Sequence, residues 1–333
     1  MNMTQWHKEA IESKKLIAIP IMTHPGIELI GKTVEDAVKD GAIHAQAIKA
    51  LSDKYPSAAA TVIMDLTVEA EAFGAPITFA PDEVPTVKGR LLSDLTAVEE
   101  LMVPDLTAAR VPQYLKANKL AKETISDKPV LAGCIGPYSL AGRLYDITEF
   151  MMSIYTEPDT AMLLLEKCTE FITKYIKAIK ETGVDGIVIA EPAAGLLSDE
   201  DATMFSSVYV KQIIEAVQDD DFLVILHNCG NTGQCTPSMI MTGAKGLHFG
   251  NKIDMLDALK EVPADVLAMG NLDPVSVLKL ETPAGVAQAT RELLEATKAY
   301  NNFILSSGCD APPGVPFENI EAFYNTLDEY NKA

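Results

Sequence analysis

A histidine and a cysteine two positions apart end one of the apolar runs of the sequence, in the stretch LVILHNCGNTGQC at residues 223–235. Side chains alternate between the two faces of a strand, so His227 and Cys229 point to the same side. Cys309 ends a later apolar run in the same way. Two thiolates and one imidazole form a soft, tetrahedral ligand set that is typical of zinc. Three protein ligands leave a fourth position open for a substrate, so the sequence predicts a catalytic zinc site.

Short apolar runs bounded by Gly, Pro, Asn or Asp predict the strands that would position these ligands. The eight runs are residues 16–22, 60–66, 129–135, 186–192, 222–229, 246–250, 266–272 and 303–309. Most of the intervals between them have helical periodicity. Apolar strands that alternate with helices indicate an α/β fold with a parallel sheet, and eight such units in 333 residues favour a closed (β/α)₈ TIM barrel. The rival doubly wound fold lacks its GxGxxG and GxxxxGK[ST] motifs.

The barrel is expected to occupy residues 1–333 as a single domain with an N-terminal helix. Two stretches, 73–89 and 136–150, are too long for plain barrel loops and are expected to form a lid or a wall of the site. In such barrels the reactive groups gather at the carboxyl ends of the strands. Here those ends carry Asp65, Glu191, His227, Cys229, Asn271, Asp273, Cys309 and Asp310.

Glu191 and Asp65 are the candidate catalytic carboxylates at these strand ends. Glu191 has three open roles: a fourth zinc ligand in the empty enzyme, an outer partner of the His227 ring, or a helix cap. Asp65 either orients a substrate or caps the turn that follows it. Cys235 lies in a polar loop and is expected to be a bystander, because no strand holds it. His248 is expected to be a hydrogen-bonded core histidine.

Composition excludes several classes of partner. The chain has 47 acidic and 27 basic residues, a formal net charge of −20, which repels polyphosphate and excludes nucleic acid as an expected partner. It has no uninterrupted run of 18 apolar residues and no signal-peptide pattern at its N-terminus, so we expect a cytoplasmic protein without a membrane partner. Five cysteines argue against a disulfide framework and for thiols that are buried, catalytic or metal-bound.

Six segments, in chain order, resemble the uroporphyrinogen decarboxylase superfamily and, within it, the corrinoid-linked methyltransferases. They are MDLTVEAEAFG, GPYSLAGRL, EPAAGLLS, HNCGNTG, GNLDPVSVL and SSGCDAPPGVPFENI. The resemblance extends over about residues 10–330, and the family fold that it implies is a (β/α)₈ barrel. The decarboxylases proper carry an arginine-rich signature, PVWxMRQAGR, near the first strand. The matching region here, IAIPIMTHPGIELIG, contains no arginine, which argues against decarboxylation.

The resemblance also implies a reaction. The methyltransferases hold zinc through a His-x-Cys and a distant Cys, and His227, Cys229 and Cys309 fall on those positions. The substrate thiol would occupy the open zinc position and, as a thiolate, attack a methyl group on a methylcobamide (cobalamin) carried by a separate corrinoid protein. A sulfonate thiol such as coenzyme M needs a cation nearby, and Arg143, in the expected loop after the third run, is the arginine placed at the rim.

Asn271 and Asp273 are further candidate contacts for the bound cofactor or substrate, and a homodimer is compatible with this interpretation. Other functions remain open: methyl transfer to tetrahydrofolate, uroporphyrinogen decarboxylase-type decarboxylation, a zinc hydrolase, and a metal-free tetrapyrrole- or corrinoid-binding module. Keeping all three ligands favours a thiol acceptor over tetrahydrofolate. Thiolate-rich ligation makes zinc less Lewis acidic than the histidine-rich sites of hydrolases. The fold alone would permit the binding module.

Overall fold

Residues 1–332 are described by a computed structural model, in which helices and strands alternate along the chain. The strands are β1 (Ala60–Thr61), β2 (Ile77–Ala80), β3 (Glu83–Val87), β4 (Val130–Ile135), β5 (Gly186–Ala190), β6 (Leu223–Asn228), β7 (Gly246–Phe249), β8 (Leu267–Leu272) and β9 (Phe303–Ser307). The α-helices are α1 (Met3–Glu12), α2 (His24–Leu29), α3 (Val34–Lys39), α4 (Gly41–Lys54), α5 (Val68–Ala72), α6 (Val111–Thr124), α7 (Pro137–Tyr145), α8 (Ile147–Thr156), α9 (Pro158–Glu181), α10 (Asp199–Ala202), α11 (Val208–Val217), α12 (Thr236–Ile240), α13 (Met255–Glu261), α14 (Pro283–Thr297) and α15 (Phe317–Lys332).

Seven of the strands form one parallel sheet in the order β1-β4-β5-β6-β7-β8-β9. The sheet curls so that one face packs against the helices and the other encloses an apolar interior. A helical crossover connects each strand of this sheet to the next one in the order, as parallel pairing requires. The predicted α/β barrel class is therefore confirmed, and the predicted N-terminal helix is α1.

The first predicted strand, residues 16–22, connects the two edges of this sheet. On one side the Ile19 N–H donates to the Leu305 carbonyl of β9 at 3.0 Å. On the other side the Ala58 N–H, just before β1, donates to the Ala18 carbonyl at 2.9 Å. We call residues 16–22 the closing segment, because it occupies the eighth position around the barrel.

Side-chain hydroxyls of β9 replace part of the backbone ladder along the closing segment. The Ile21 N–H donates to the Ser307 hydroxyl oxygen at 3.2 Å, and the Ser306 hydroxyl donates to the Ile19 carbonyl at 2.8 Å. These bonds satisfy backbone groups without forming regular strand pairing. The prediction of a regular strand here is therefore wrong in detail, although the segment has the predicted place in the barrel.

The second predicted strand, residues 60–66, is also shorter than expected. The Val62 N–H still donates to the Leu131 carbonyl of β4 at 3.1 Å, but the next N–H, of Ile63, donates to His44 Nε2 of α4 at 3.1 Å. Because a helix side chain takes the hydrogen bond, the ladder ends and the chain leaves the sheet. The other six predicted strands correspond to β4–β9 with bounds that differ by at most two residues at either end.

The barrel interior is filled from the amino end by apolar side chains in period-two rows. The interior cluster contains Met3, Ile19, Ile21, Ala59, Leu131, Val188, Leu223, Ile225, Leu267, Met269 and Ile304. Helix α1 covers this end, since Met3 belongs to the cluster and Trp6 packs against it. The inward rows become polar one step further along β6, β7 and β9, which places polar groups above an apolar floor.

Both long insertions fold into secondary structure. Residues 73–89 contain the antiparallel hairpin of β2 and β3, and residues 136–150 contain α7 and the start of α8. Within residues 1–332, no helix combines the length and the apolar character needed to cross a membrane.

We expect Ser307→Ala to lower the free energy of unfolding by about 1–3 kcal/mol, because the buried Ile21 N–H loses its acceptor. Ser93→Ala removes an exposed hydroxyl and serves as the control. Urea unfolding followed by circular dichroism measures both variants. Equal midpoints for the two variants would show that the hydroxyl does not hold the closing segment.

Candidate metal centre

His227 is the last side chain of the inward-facing row on β6. Leu223 and Ile225 of this row lie in the interior apolar cluster, and the two-residue period of the strand places His227 directly above them. The imidazole is buried, with 3% of the residue exposed. Its Nε2 lies 3.8 Å from Sγ of Cys309. The strand thus presents a ring nitrogen to the carboxyl end of the barrel.

Cys229 and Cys309 lie just beyond the ends of β6 and β9, where backbone contacts hold them. Gly250 packs so closely on the Cys229 backbone that a Cβ at residue 250 would lie 2.6 Å from the Cys229 Cα. The Gly308 N–H donates to the Leu272 carbonyl at the end of β8 at 2.6 Å. Both thiols are therefore positioned by neighbouring strands, although neither belongs to a strand itself.

The three predicted ligands come together. One ligand atom from each of His227, Cys229 and Cys309 lies within 4.8 Å of the other two. A tetrahedral zinc ion with bonds of about 2.0–2.3 Å separates neighbouring ligand atoms by roughly 3.5–4 Å, so small side-chain rotations would complete the geometry. His227 is buried while both cysteines are partly exposed, so the set approaches an ion from below and leaves its outer side accessible. The donor types and the spacing fit zinc.

The two thiols lie within 4.8 Å of each other, and their interaction shifts their pKa values in opposite directions. Donation from the Cys309 thiol lowers the pKa of Cys229 to about 7, against the opposing effect of burial. The same hydrogen bond, together with burial, raises the pKa of Cys309. The Cys229 thiol therefore loses its proton more readily than an ordinary thiol, which favours capture of a divalent metal.

His248 lies behind His227 and was not expected to take part in the site. The two Nδ1 atoms are 2.8 Å apart, and Nε2 of His248 is 2.8 Å from the Ser306 hydroxyl oxygen. Burial, and then the neighbouring His227 ring, hold the pKa of His248 well below its ordinary value. His248 is the hydrogen-bonded core histidine that the sequence predicts, but its contact with the candidate ligand His227 was not predicted. One feature of the sequence could have predicted this contact. The predicted strands 222–229 and 246–250 follow one another in a parallel sheet, and each carries a histidine.

Glu191 is held at the start of α7 and is not a member of the ligand group. One carboxylate oxygen accepts the Ser139 N–H at 3.1 Å, and the other accepts the Ser206 hydroxyl at 2.8 Å. Burial raises its pKa to about 7, although these hydrogen bonds oppose the shift. Of its three open roles, these contacts correspond to the helix cap, whereas Nδ1 of His227 lies 2.8 Å from His248.

Asp65 uses both oxygens within the protein. One accepts the Thr67 N–H at 3.0 Å, and the other accepts the Tyr114 hydroxyl at 2.8 Å and an N–H of Arg110. Its side chain is fully buried, and Arg110 also pairs with Glu71 at 2.5 Å. Of its two open roles, these contacts correspond to the cap. Asp65 also forms a buried ion pair with Arg110, which the sequence did not reveal because Arg110 is 45 residues away.

Asn271 and Asp273 brace the loop that follows β7. The Asn271 amide donates to the Gly250 carbonyl at 2.9 Å and to the Ile253 carbonyl at 2.8 Å. Asp273 accepts the Asn251 amide at 2.7 Å. Because Gly250 packs on Cys229, both residues contribute indirectly to the position of that thiol.

Arg143 lies in the last turn of α7, so the expectation that it belongs to a loop is wrong. Residues 136–150 are helical because Pro137 is accommodated in the first turn and an apolar face packs inward. Burial lowers the pKa of Arg143, and Asp65 and Glu69 oppose that shift. Within residues 1–332, no carboxylate lies within 4.0 Å of its guanidinium nitrogens.

The Arg143 side chain lines a cavity of about 310 Å³. The cavity opens at the carboxyl ends of β4 and β5, and both insertions contribute to its wall. Its lining residues are Leu66, Val87, Gly89, Ile135, Ser139, Gly142, Arg143, Asp146, Ile147, Pro192 and Ala193. We call it the Arg143 cavity.

Comparison with known proteins shows the family to which the chain belongs. The family model described as uroporphyrinogen decarboxylase (URO-D) matches residues 17–330. The chain belongs to this family. The match covers all but the first residue of the closing segment, all strands of the sheet and all three candidate ligands.

Among the relatives are two proteins named methylcobamide:CoM methyltransferase MtbA. The one from Methanosarcina acetivorans is 30% identical over 276 residues, and the one from Methanosarcina mazei is 31% identical over the same length. Each alignment covers 82% of this chain and 80% of the relative. A solved structure of a methyltransferase from Methanosarcina mazei superposes with a TM-score of 0.87 at 24% identity, with 97% of each chain covered. That structure supports the fold.

In metal-free protein, we expect alkylation of Cys229 by iodoacetamide to rise through a midpoint near pH 7. A lowered pKa means that the thiolate is present above pH 7 and is lost as the pH falls. Peptide mass spectrometry measures the labelling, with the buried Cys168 as an unreactive reference. Cys309→Ala removes the donor and should move the midpoint upward. A midpoint near 9 in the unchanged chain, the value of an ordinary thiol, would contradict the shared hydrogen bond.

Proposed function

We propose that the protein is a zinc-dependent methyltransferase that moves a methyl group from a methylcobamide, held by a corrinoid protein, to a small thiol such as coenzyme M. The observation that carries the proposal is the grouping of His227, Cys229 and Cys309 within 4.8 Å at the carboxyl end of the barrel. Two methylcobamide:CoM methyltransferases among the relatives, at 30% and 31% identity, support the same reaction.

The ligand residues determine what the site can bind. Zinc held there would act as a Lewis acid that keeps a coordinated thiol deprotonated at neutral pH. His227 approaches from the buried side, and the two partly exposed cysteines stand on the side of the barrel opening. A small thiol can therefore enter from the opening, where a protein-bound corrinoid can also approach.

The proposed methyl transfer is a nucleophilic displacement at the methyl carbon. The acceptor thiol releases its proton to solvent, and its sulfur forms a bond to the methyl carbon. The cobalt–carbon bond of the donor breaks, and its electron pair stays on the cobalt, which leaves as Co(I). The apolar floor formed by Ile225 and its neighbours excludes water from below the sulfur, which reduces competing solvation of the nucleophile.

The Arg143 cavity is our proposed site for the anionic end of the acceptor. Its guanidinium has no carboxylate partner within 4.0 Å among residues 1–332. The cavity lining is part apolar and part polar, and its one carboxylate, Asp146, accepts the Thr148 and Glu149 N–H groups at the start of α8. A sulfonate or carboxylate bound there would replace lost hydration with charge-assisted hydrogen bonds. Arg143 is the sole arginine or lysine of the lining, whereas a tetrapyrrole with many carboxylates would require several cations. The lining therefore favours a small acid over decarboxylation of a porphyrinogen.

We expect purified protein to contain about one zinc per chain, and zinc-loaded protein to release close to one proton per site when a thiol acceptor is added at neutral pH. Cys309→Ala should reduce methyl transfer from methylcobalamin by more than about 100-fold, because loss of an outer partner alone costs 10- to 100-fold. Cys235→Ala is the matched control, since this buried cysteine contacts the Ala194 and Leu197 carbonyls outside the ligand group.

Three results would separate the alternatives. If the purified protein contains no zinc and does not bind added zinc, both zinc-dependent functions, methyl transfer and hydrolysis, are excluded. Zinc binding without proton release on addition of thiol would favour a hydrolase. Activity retained by Cys309→Ala would show that the third ligand is wrongly assigned.

Arg143→Leu should raise the KM for coenzyme M by about 10- to 100-fold, because an ion-assisted hydrogen bond is lost. The variant should change the KM for 2-mercaptoethanol little, since that thiol has no anionic end. Arg143→Lys keeps the positive charge but loses the planar guanidinium group, so its KM for coenzyme M should lie between that of the unchanged protein and that of Arg143→Leu. Steady-state kinetics with both thiols measures the difference, and equal losses for the charged and the neutral thiol would exclude the assigned role.

A further inference from the structure

A chain of three hydrogen bonds runs from the candidate metal ligand His227 to the backbone of the closing segment. Nδ1 of His227 is 2.8 Å from Nδ1 of His248, and Nε2 of His248 is 2.8 Å from the hydroxyl oxygen of Ser306. The Ser306 hydroxyl in turn donates to the Ile19 carbonyl at 2.8 Å. His248 and Ser306 are completely buried, and His227 is nearly so.

The Ile19 carbonyl determines which groups donate and which accept in these three hydrogen bonds. A backbone carbonyl oxygen can only accept, so the single proton of the Ser306 hydroxyl points to Ile19. Towards His248 the hydroxyl oxygen is therefore the acceptor, and Nε2 of His248 must carry a proton. The order of donors and acceptors thus follows from one peptide group, without any assumption about the metal.

The same reasoning determines the other nitrogen of His248. Two Nδ1 atoms 2.8 Å apart can share one proton, and both cannot carry one. If His248 held protons on both nitrogens it would be a cation in a site with no exposure, which is costly without a paired charge. Nδ1 of His248 is therefore the acceptor, and Nδ1 of His227 is the donor.

A neutral His227 that is protonated on Nδ1 has its lone pair on Nε2. That nitrogen is the one 3.8 Å from the Cys309 thiol and within the ligand group. Because metals bind the unprotonated nitrogen, the other tautomer of His227 would first have to lose or move a proton.

We propose that His248 and Ser306 are positioning residues that hold His227 in the tautomer needed to bind a metal through Nε2. The inference rests on the metal centre of the proposed function. It concerns the outer partners of that centre and does not depend on which thiol or donor is used. The strand register supports it, since His227 and His248 are Cα partners in the pairing of β6 with β7.

Long-range ¹H–¹⁵N correlation spectra of the metal-free and zinc-loaded full-length protein test the proton positions directly. The chain has five histidines, and substitution of each assigns its signals. We expect protonated Nε2 and unprotonated Nδ1 for His248, with protonated Nδ1 for His227 in both states. The reversed tautomer for His248, or a doubly protonated ring, would overturn the proposal.

Zinc affinity, measured by competition with a chromophoric chelator, tests the consequence. His248→Leu removes the acceptor and should weaken zinc binding by about 10- to 100-fold. His248→Asn places a carbonyl oxygen near the position of Nδ1 and should recover most of that loss. Ser306→Ala should give a smaller loss, because His248 is then free to adopt either tautomer.

His44→Leu is the control for loss of a buried histidine. His44 accepts the Ile63 N–H between α4 and the chain after β1, outside the ligand group. This variant should lower the thermal midpoint of unfolding and leave zinc affinity unchanged. Equal zinc affinity for His248→Leu and His248→Asn would contradict the positioning role, and should His248→Leu not fold, the spectra of the unchanged chain still decide.

The outcomes separate this inference from the proposed function. Protein that binds zinc and transfers methyl groups while His248 shows the reversed tautomer overturns the inference alone. The expected tautomers in a protein that binds no zinc, or that binds zinc without transferring methyl groups to a thiol, support the proton order and overturn the proposed function.

Discussion

The curvature of the parallel sheet is the constraint on which the candidate site depends. His227 is on β6 and Cys309 follows β9, so two strands, β7 and β8, lie between their strands in the sheet. In a flat sheet three strand spacings would separate them by about 14 Å. Here the ring nitrogen and the sulfur are 3.8 Å apart. Only a sheet that curls towards closure brings inward-facing groups of such distant strands into contact, and the hydroxyl-bonded closing segment joins its two edges.

Within that curved sheet, the inward rows change character at one level. Below it lie apolar side chains such as Ile225 and Met269, and at it lie His227, His248 and Ser306. Burying polar groups is costly unless they are hydrogen-bonded, and each of these has a partner at 2.8 Å. The hydrogen-bonded layer separates the apolar interior from the partly exposed thiols. The lowered pKa of Cys229 favours a thiolate on the outer side, where the proposed cation would bind.

Period-two patterns and strand ends predicted the barrel class, six of the strands and the convergence of the three ligand residues. These features follow from local sequence and from a general property of parallel sheets, that carboxyl ends of strands share one edge. What could not be predicted depends on contacts between residues distant in sequence. The end of β1 follows from a hydrogen bond to His44, the irregular closing segment from Ser306 and Ser307, and the burial of Asp65 from Arg110. The helical position of Arg143 was missed because residues 136–150 were treated as an insertion, although Pro137 is a common first-turn residue of helices.

The closing segment has a consequence for how the polypeptide matures. It lies near residue 19, while the strand that supplies its hydroxyl partners and precedes the last ligand lies near residue 306. During synthesis, His227 and Cys229 emerge from the ribosome long before Cys309, so a nascent chain has two of the three donors and neither Ser306 nor the sheet edge against which the barrel closes. If these residues bind the proposed zinc ion, its tight capture must wait until the two ends of the fold have met, and a product truncated before Cys309 would lack the third ligand.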